Sequence, residues 1–337
     1  TQAPPRTICD IAGDRHVFEN MVAVMAPTAS GTCIACHLAI GSLAVAAAAS
    51  AHAGLLRAEG RVLPEGEGRS DYVQSILEDA PMAYWRLGER QGVVAANAAT
   101  GESSAEGLGP AADGTVVGSV ALAGIGLLDG DRDASMDFAG GEAIGLQQVR
   151  IGPCKLNAYG EKLYTRTIEL WFKVQFLAED TPRAILYEEG GEDAGLNIAI
   201  EGAKASTPSC KLSVSGWDKA TWGECTARSN VATTPVRLET RYHVALVFEG
   251  ADEVEDGKIT GYLNGIPFGE AQDCGPIPPH PNGRVVLGGI DGTTRLNSEA
   301  LSAGADLNGT LDEVAVYPKA LDSERLVVHY NAGMGAG

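Results

Sequence analysis

From about residue 70 onward the apolar residues of this chain come in short runs, and that spacing constrains the fold more than anything else in the sequence. In the run 167–174, Ile168, Leu170, Phe172 and Val174 alternate with Thr167, Glu169, Trp171 and Lys173, the period-two pattern of a strand with one face in a core. VALVF, 244–248, is a continuous apolar strand of sandwich type. Clusters of Gly, Pro and Asp separate such runs, which marks turns rather than helix continuations. Asn264-Gly265 is a type I′ hairpin signal. A two-sheet antiparallel structure follows, with short helices at Tyr72 to Glu78 and from Ser323, the latter packing Leu326, Val327 and Tyr330 back on a sheet.

Composition agrees: 43 Gly and 16 Pro with 20% charged residues among 337 favour many turns and short elements. The formal charge of −19 and the absence of a basic patch exclude a nucleic-acid surface.

The phrases YV…APMAYWRLGE (72–89), AANAATGESSAEG (95–107), MDFAGGEAI (136–144), IELWFKV (168–174), YHVALVFEG (242–250), ITGYLNG (259–265), VVLGG (285–289) and LNGTLDEVAVYPKALDSERLVVHYNAG (307–333) follow one another in a characteristic order. In that order they resemble the laminin-G-like jelly roll of the concanavalin A-like superfamily, over about residues 70 to 335. The resemblance implies an antiparallel jelly-roll sandwich whose relatives include carbohydrate binders, adhesion modules and glucanases. Retaining hydrolysis needs two carboxylates about 5 Å apart. No alternating acidic strand supplies them, since Glu253, Glu255 and Asp256 fall in a polar loop, and the chain reads as a non-enzyme. The resemblance also implies calcium between the end of the first strand and the last strand, at Glu89, Asn97 and Asp312. Asn97 stands where the family tends to have Asp, and Asp129, Asp131 and Asp133 form a competing cluster. Trp217 and Trp222 are candidates for an aromatic platform against a glycan.

The first 57 residues are different in kind. Cys33-Ile34-Ala35-Cys36-His37 is the c-type haem attachment pattern, in which two thiols bond the vinyl groups and the histidine takes the iron. It lies within Asn20 to Leu56, a stretch free of Asp, Glu, Lys and Arg. A helix from Cys33 to about Arg57 would be apolar on every side and must be buried all round. So short a segment cannot bury it alone, so its partner is another subunit or the jelly-roll domain, and the reading taken is self-association into a filament or array. Along such a helix His52 stands about 22 Å from His37, too far for the same iron. His16 is therefore the preferred distal ligand and His52 the next. Leu38 to Leu56 is a poor membrane span for its Ala, Gly and His content, and it ends in a false signal-cleavage pattern, Ala51-His52-Ala53. Thr1 to Pro5 has neither a basic start nor an apolar run, so the chain reads as already processed.

With Cys33 and Cys36 on haem, five of the seven cysteines remain. Cys210–Cys225 is the first disulfide pairing expected and Cys154–Cys274 the second, with Cys9 unassigned. Disulfides and covalent haem place the protein outside the cytoplasm. The organisation expected is a helical haem-binding and assembly segment (1–57), a charged, Gly-rich linker (58–70) and a jelly-roll domain (71–337). The function expected is extracellular electron transfer by a one-haem homo-oligomer with a redox partner. The rival readings are a haem-free structural or adhesive protein, such as a virion, tail or surface-fibre component, and a carbohydrate-binding module with a glycan partner.

Overall fold

The computed structural model describes residues 70–335 apart from 140–146, 153–155, 157–160, 178–182, 203–208, 231–232, 281–283 and 304. Cys9, His16, Cys33, Cys36, His37, His52 and Cys154 lie outside the described residues, as do the whole 1–57 segment and the linker up to residue 69.

The short apolar runs form two antiparallel sheets. The first has the order β15 (Ile266–Gln272), β14 (Lys258–Leu263), β13 (Arg241–Glu249), β7 (Thr165–Phe176), β19 (Asn308–Tyr317), β5 (Ala134–Ala139) and β4 (Ala121–Ile125), with β1 (Ala83–Trp85) also paired to β19. The second runs β11 (Gly223–Arg228), β10 (Ser209–Asp218), β9 (Ala194–Gly202), β8 (Arg183–Gly190), β16 (Arg284–Leu287), β6 (Gln148–Ile151), β3 (Gly114–Val117) and β2 (Val94–Ala95), with β12 (Val236–Arg237) on β10. Strands β17 (Thr294–Leu296) and β18 (Glu299–Leu301) pair only with each other. This is the antiparallel sandwich expected from the sequence.

The alternation in β7 decides what goes where. Ile168, Leu170, Phe172 and Val174 enter the core between the sheets, while Trp171 and Glu169 point the other way and are still fully buried. What covers them is a helical layer: α1 (Asp71–Glu78) and α2 (Ser323–Gly333). Tyr72, Val73, Ile76 and Leu77 of α1 and Leu326 of α2 form a second apolar cluster with Trp171, Ala245 and Tyr317, and Tyr330 stacks on Trp171 at 5.9 Å. Both helices are capped from the side chain ahead of them, Ser70 to the Val73 N–H and Asp322 to the Arg325 N–H, which satisfies amides that have no partner inside a helix. Val327 departs from expectation: it is 38% exposed and lies against the turn after β14. That turn has Asn264 at φ 54° and Gly265 at φ 75°, as a type I′ hairpin requires. A Cβ at Gly265 would come within 2.9 Å of the Val327 backbone.

Two polar ties run through this scaffold. Arg166 of β7 meets Glu189 of β8 at 2.9 Å inside the core, with the Tyr187 hydroxyl donating to the same carboxylate at 2.6 Å. Under the helices, Glu169 lies 2.8 Å from His243 Nε2 and 2.9 Å from His329 Nδ1 and accepts from the Tyr317 hydroxyl. His329 Nε2 reaches Asp79 at 3.0 Å, and Arg325 Nε reaches it at 2.6 Å. The network thus joins α1's end, α2 and three strands.

Among the described residues the disulfide is Cys225–Cys274, which takes Cys274 from its expected pairing with Cys154, and Cys210 is free and buried. The expected Cys210–Cys225 pair fails on register. Cys225 stands opposite Gly216, six residues along β10 from Cys210, or roughly 20 Å at strand rise. The bond made instead ties β11, at the edge of the second sheet, to the chain leaving β15, at the edge of the first. No helix among the described residues is long and apolar enough to cross a membrane.

Burial opposes charge on His329, but the Glu169 charge and the hydrogen bonds to Asp79 and Glu169 outweigh it and raise its pKa to about 9. Burial likewise opposes charge on Asp79, and the hydrogen bonds from His329 and Arg325 overcome it, lowering that pKa to about 2. The stability contributed by Asp79 is complete above its ordinary 3.8 and is lost as pH falls through about 2. That contributed by His329 is complete below its ordinary 6.5 and is lost as pH rises through about 9. Glu169→Gln is therefore expected to cost about 3–5 kcal/mol near pH 6, by taking this carboxylate from the buried His329 cation. In chemical denaturation across pH, the difference from wild type should shrink on the alkaline side.

Candidate functional site

Two places in the described domain gather several polar side chains around buried oxygens that have no partner. The first is a bulge in β19. Its register against β7 shifts between Asp312 and Ala315, and Glu313 sits at φ 53°, the left-handed backbone a bulge of this kind uses. Here β19 changes partners, from β5 up to Leu311 to β1 from Val314. The bulge turns two successive acids inward. Glu313 accepts from the Tyr84 hydroxyl and from Arg86 Nη2 at 2.7 Å. The same Arg86 nitrogen lies 2.8 Å from Asp131 and 3.1 Å from Asp133. Asp312 Oδ2 accepts the Leu127 N–H at 2.8 Å. Gly88 permits this packing, since a Cβ there would fall 2.1 Å from Asp133 Oδ1.

Burial pushes Glu313 up to about 7 against the pull of Arg86. It pushes Asp312 well above the usual carboxylate range, helped by the Glu313 charge, and it also raises Glu89. Two buried oxygens here have no partner, Asp312 Oδ1 and Glu89 Oε2, and both carboxyls feel the Asp133 charge.

Of the residues expected to hold calcium, Glu89 and Asp312 thus keep an oxygen to offer. Asn97 does not. Its Oδ1 accepts the Tyr84 and Ala99 N–H groups, and its Nδ2 donates to the Ala99 and Gly109 carbonyls. The amide is spent on pinning the chain after β2. The competing cluster splits as well, because Asp129 pairs with Arg241 at 2.8 Å while Asp131 and Asp133 face Arg86. Among the described residues no group of three or more His, Cys, Asp or Glu is placed to hold a metal. Carboxylate oxygens without a sulfur or imidazole beside them are donors for a hard cation rather than for zinc.

The second place is the outward face of the second sheet. Register puts Thr226, Ser215, Asn197 and Glu188 in one row across β11, β10, β9 and β8, with Ser213 next along β10. Small and polar side chains fill a face that a buried sheet would make apolar. It is covered by the segment carrying β17 and β18, which seals Ile290, Leu296, Leu301 and Ala305 against Ile185 and Ala199. Asn197 Nδ2 donates to the Arg295 carbonyl at 2.6 Å. Ser213 Oγ, Asn197 Oδ1 and Glu188 Oε1 are buried without a partner. The sequence reading missed this face. Its signals are two adjacent acids in the apolar run ILYEEG and the alternating serines of LSVSG, neither of which names a partner strand.

The expected aromatic platform does not form. Trp217 is fully buried, with its Nε1 donating to the Gly191 carbonyl at 2.9 Å and its ring against Gly195. Trp222 is half-buried and donates to the Pro276 carbonyl at 3.1 Å, next to the disulfide. Glu253, Glu255 and Asp256 lie in and beside a short, exposed 3-10 turn.

The chain belongs to the concanavalin A-like lectin/glucanases superfamily, whose laminin G family model matches residues 154–326. Among solved structures it is similar to the botulinum neurotoxin serotype D ligand-binding domain in complex with N-acetylneuraminic acid. The identity is 11% and the TM-score 0.50, covering 77% of this chain and 52% of that one. It is also similar to the botulinum neurotoxin DC binding domain in complex with rat synaptotagmin II, with 10% identity, TM-score 0.50 and coverage of 76% and 52%. A third is domain 4 of an extracellular arabinanase from Geobacillus stearothermophilus in complex with arabinotriose, with 14% identity, TM-score 0.47 and coverage of 74% and 98%. The chain spans about half the length of the toxin domains, and at these identities the likeness is one of fold. A comparison with curated proteins finds no match.

Proposed function

We propose that the described domain is a non-catalytic binding module of lectin type, acting in adhesion or carbohydrate recognition. One observation carries this reading. In a fold of the lectin superfamily, the buried acids Glu169 and Glu313 are each committed through both oxygens to basic and tyrosine partners that hold the scaffold. Carboxylates spent in this way serve rigidity, and rigid sandwiches are suited to presenting a recognition face. The disulfide supports an extracellular setting.

The Asp312 and Glu89 oxygens left unpartnered support calcium as a structural ion at the β19 bulge, with Asn97 no longer among its ligands. The Cys33-Cys36-His37 motif supports a second reading, in which the N-terminal segment carries one covalent haem and self-associates, with His16 or His52 as the distal ligand.

Three measurements test these readings. The full chain should be retained by at least one glycan class on a printed array without hydrolysing it. Hydrolysis, or no retention at all, overturns the module. Calcium should raise the thermal midpoint of the wild type and leave that of Asp312→Asn unchanged. Intact mass after denaturation should exceed the sequence mass by one haem, and a mass equal to the sequence removes the haem reading.

A further inference from the structure

We infer that the outward face of β8, β9 and β10 is a binding subsite for a neutral, hydroxyl-rich chain of oligosaccharide type, and that the β17–β18 hairpin is the strap that opens to admit it. The inference rests on the carbohydrate reading above and gives it a place.

The polar row runs across four adjacent strands, whose three steps of about 4.8 Å span roughly 14 Å. Within it Asn197 is fully buried and Glu188 is 2% exposed, and beside it Ser213, opposite Ala199, is fully buried, yet each keeps an unpartnered oxygen. Each such atom costs the fold about 1–3 kcal/mol, and a native fold holds one where a partner arrives.

The three groups define that partner's chemistry. Asn197 Oδ1 only accepts, and the Ser213 hydroxyl both donates and accepts. Burial, then the nearby Glu189 and Asp291 charges, push the Glu188 carboxyl well above the usual carboxylate range, toward the form that can both donate and accept. Such a set matches hydroxyls of a neutral sugar. An anionic ligand would meet Asp291, Glu201 and Glu224 on the same side, and the one cation facing Ser213 across the strands, Arg228, is engaged by Asn297 at the rim.

The cover is built to move. A two-stranded hairpin alone is marginally stable, and β17 and β18 pair with no other strand among the described residues. The turn places Asn297 at φ 55° and Ser298 at φ 65°, the type I′ geometry of a two-residue hairpin, with serine where glycine is favoured. Its tip is held by exposed polar contacts alone: Arg228 Nε to Asn297 at 3.0 Å, Asn297 to Glu201, and the Ser298 N–H to Glu224 at 2.6 Å. Asn197 couples the two roles, because its Nδ2 holds the strap while its Oδ1 waits in the row. Opening parts Leu296 and Leu301 from Ile185 and Ala199, a local event below the global unfolding free energy.

The test uses the full chain with cellotriose, maltotriose and laminaritriose as probes and N-acetylneuraminic acid as the acidic comparator. Affinity is read by titration calorimetry and strap opening by amide hydrogen exchange over 294–301. A neutral trisaccharide should bind the wild type and slow exchange in the strap, and Ser213→Ala should weaken it about tenfold. Arg228→Ala, at the rim, should speed strap exchange severalfold with the unfolding midpoint unchanged. Neutral-sugar binding that both variants leave unaltered places the site elsewhere, with the row satisfied by fixed water. The glycan reading survives that outcome. Strap exchange as slow as that of β7 overturns the opening, and preference for N-acetylneuraminic acid overturns the neutral class. If neither the array nor these probes bind, the carbohydrate reading itself fails and this inference with it.

Discussion

Glu169 is the group on which the helical layer depends. A carboxylate at the centre of a sheet, fully shielded from water, is tolerable only if cations and donors surround it, and His243, His329 and Tyr317 do so. Because His329 belongs to α2 and passes the connection on to Asp79 at the end of α1, both helices are fixed to β7 through one side chain. The apolar contacts around Trp171 supply most of the favourable burial. They are non-directional, and the hydrogen-bonded acid sets where the helices sit.

The bulge at Asp312 and Glu313 follows a different logic. In the Glu169 network, charge is neutralised by imidazole and the carboxyl is held low. At the bulge one arginine faces several acids, and burial leaves Asp312 and Glu313 high instead. A surplus of buried acid next to a change of strand partner is a local conflict of the kind that structure keeps for a purpose. Arg86 resolves part of it, through Glu313, Asp131 and Asp133.

Much of the fold was legible because period-two alternation and turn chemistry are local. Thr167 to Val174, the Asn264-Gly265 turn and the helix opening at Ser323 can each be read without knowing a neighbour. What could not be read depends on register. Cys210 and Cys225 are close in sequence but lie far apart along β10, while Cys225 and Cys274 meet because two sheet edges do. Trp217 reads as an exposed loop residue, but its ring fills the space that Gly195 leaves. Asn97 reads as a ligand by its chemistry, yet its amide is consumed by backbone groups that only the folded chain brings near. Ser213, Asn197 and Glu188 are unremarkable in sequence and form a face only once three strands are aligned.

The helical layer has one more consequence, for display. The chain enters the sandwich at Asp71 and completes it at Gly333, and both helices lie on the outer side of the first sheet, whereas the β17–β18 hairpin lies on the outer side of the second. Entry and exit therefore share one pole of the domain and the hairpin occupies the other. A tether joined directly to the domain after Gly333 would therefore attach on the side away from the strapped face.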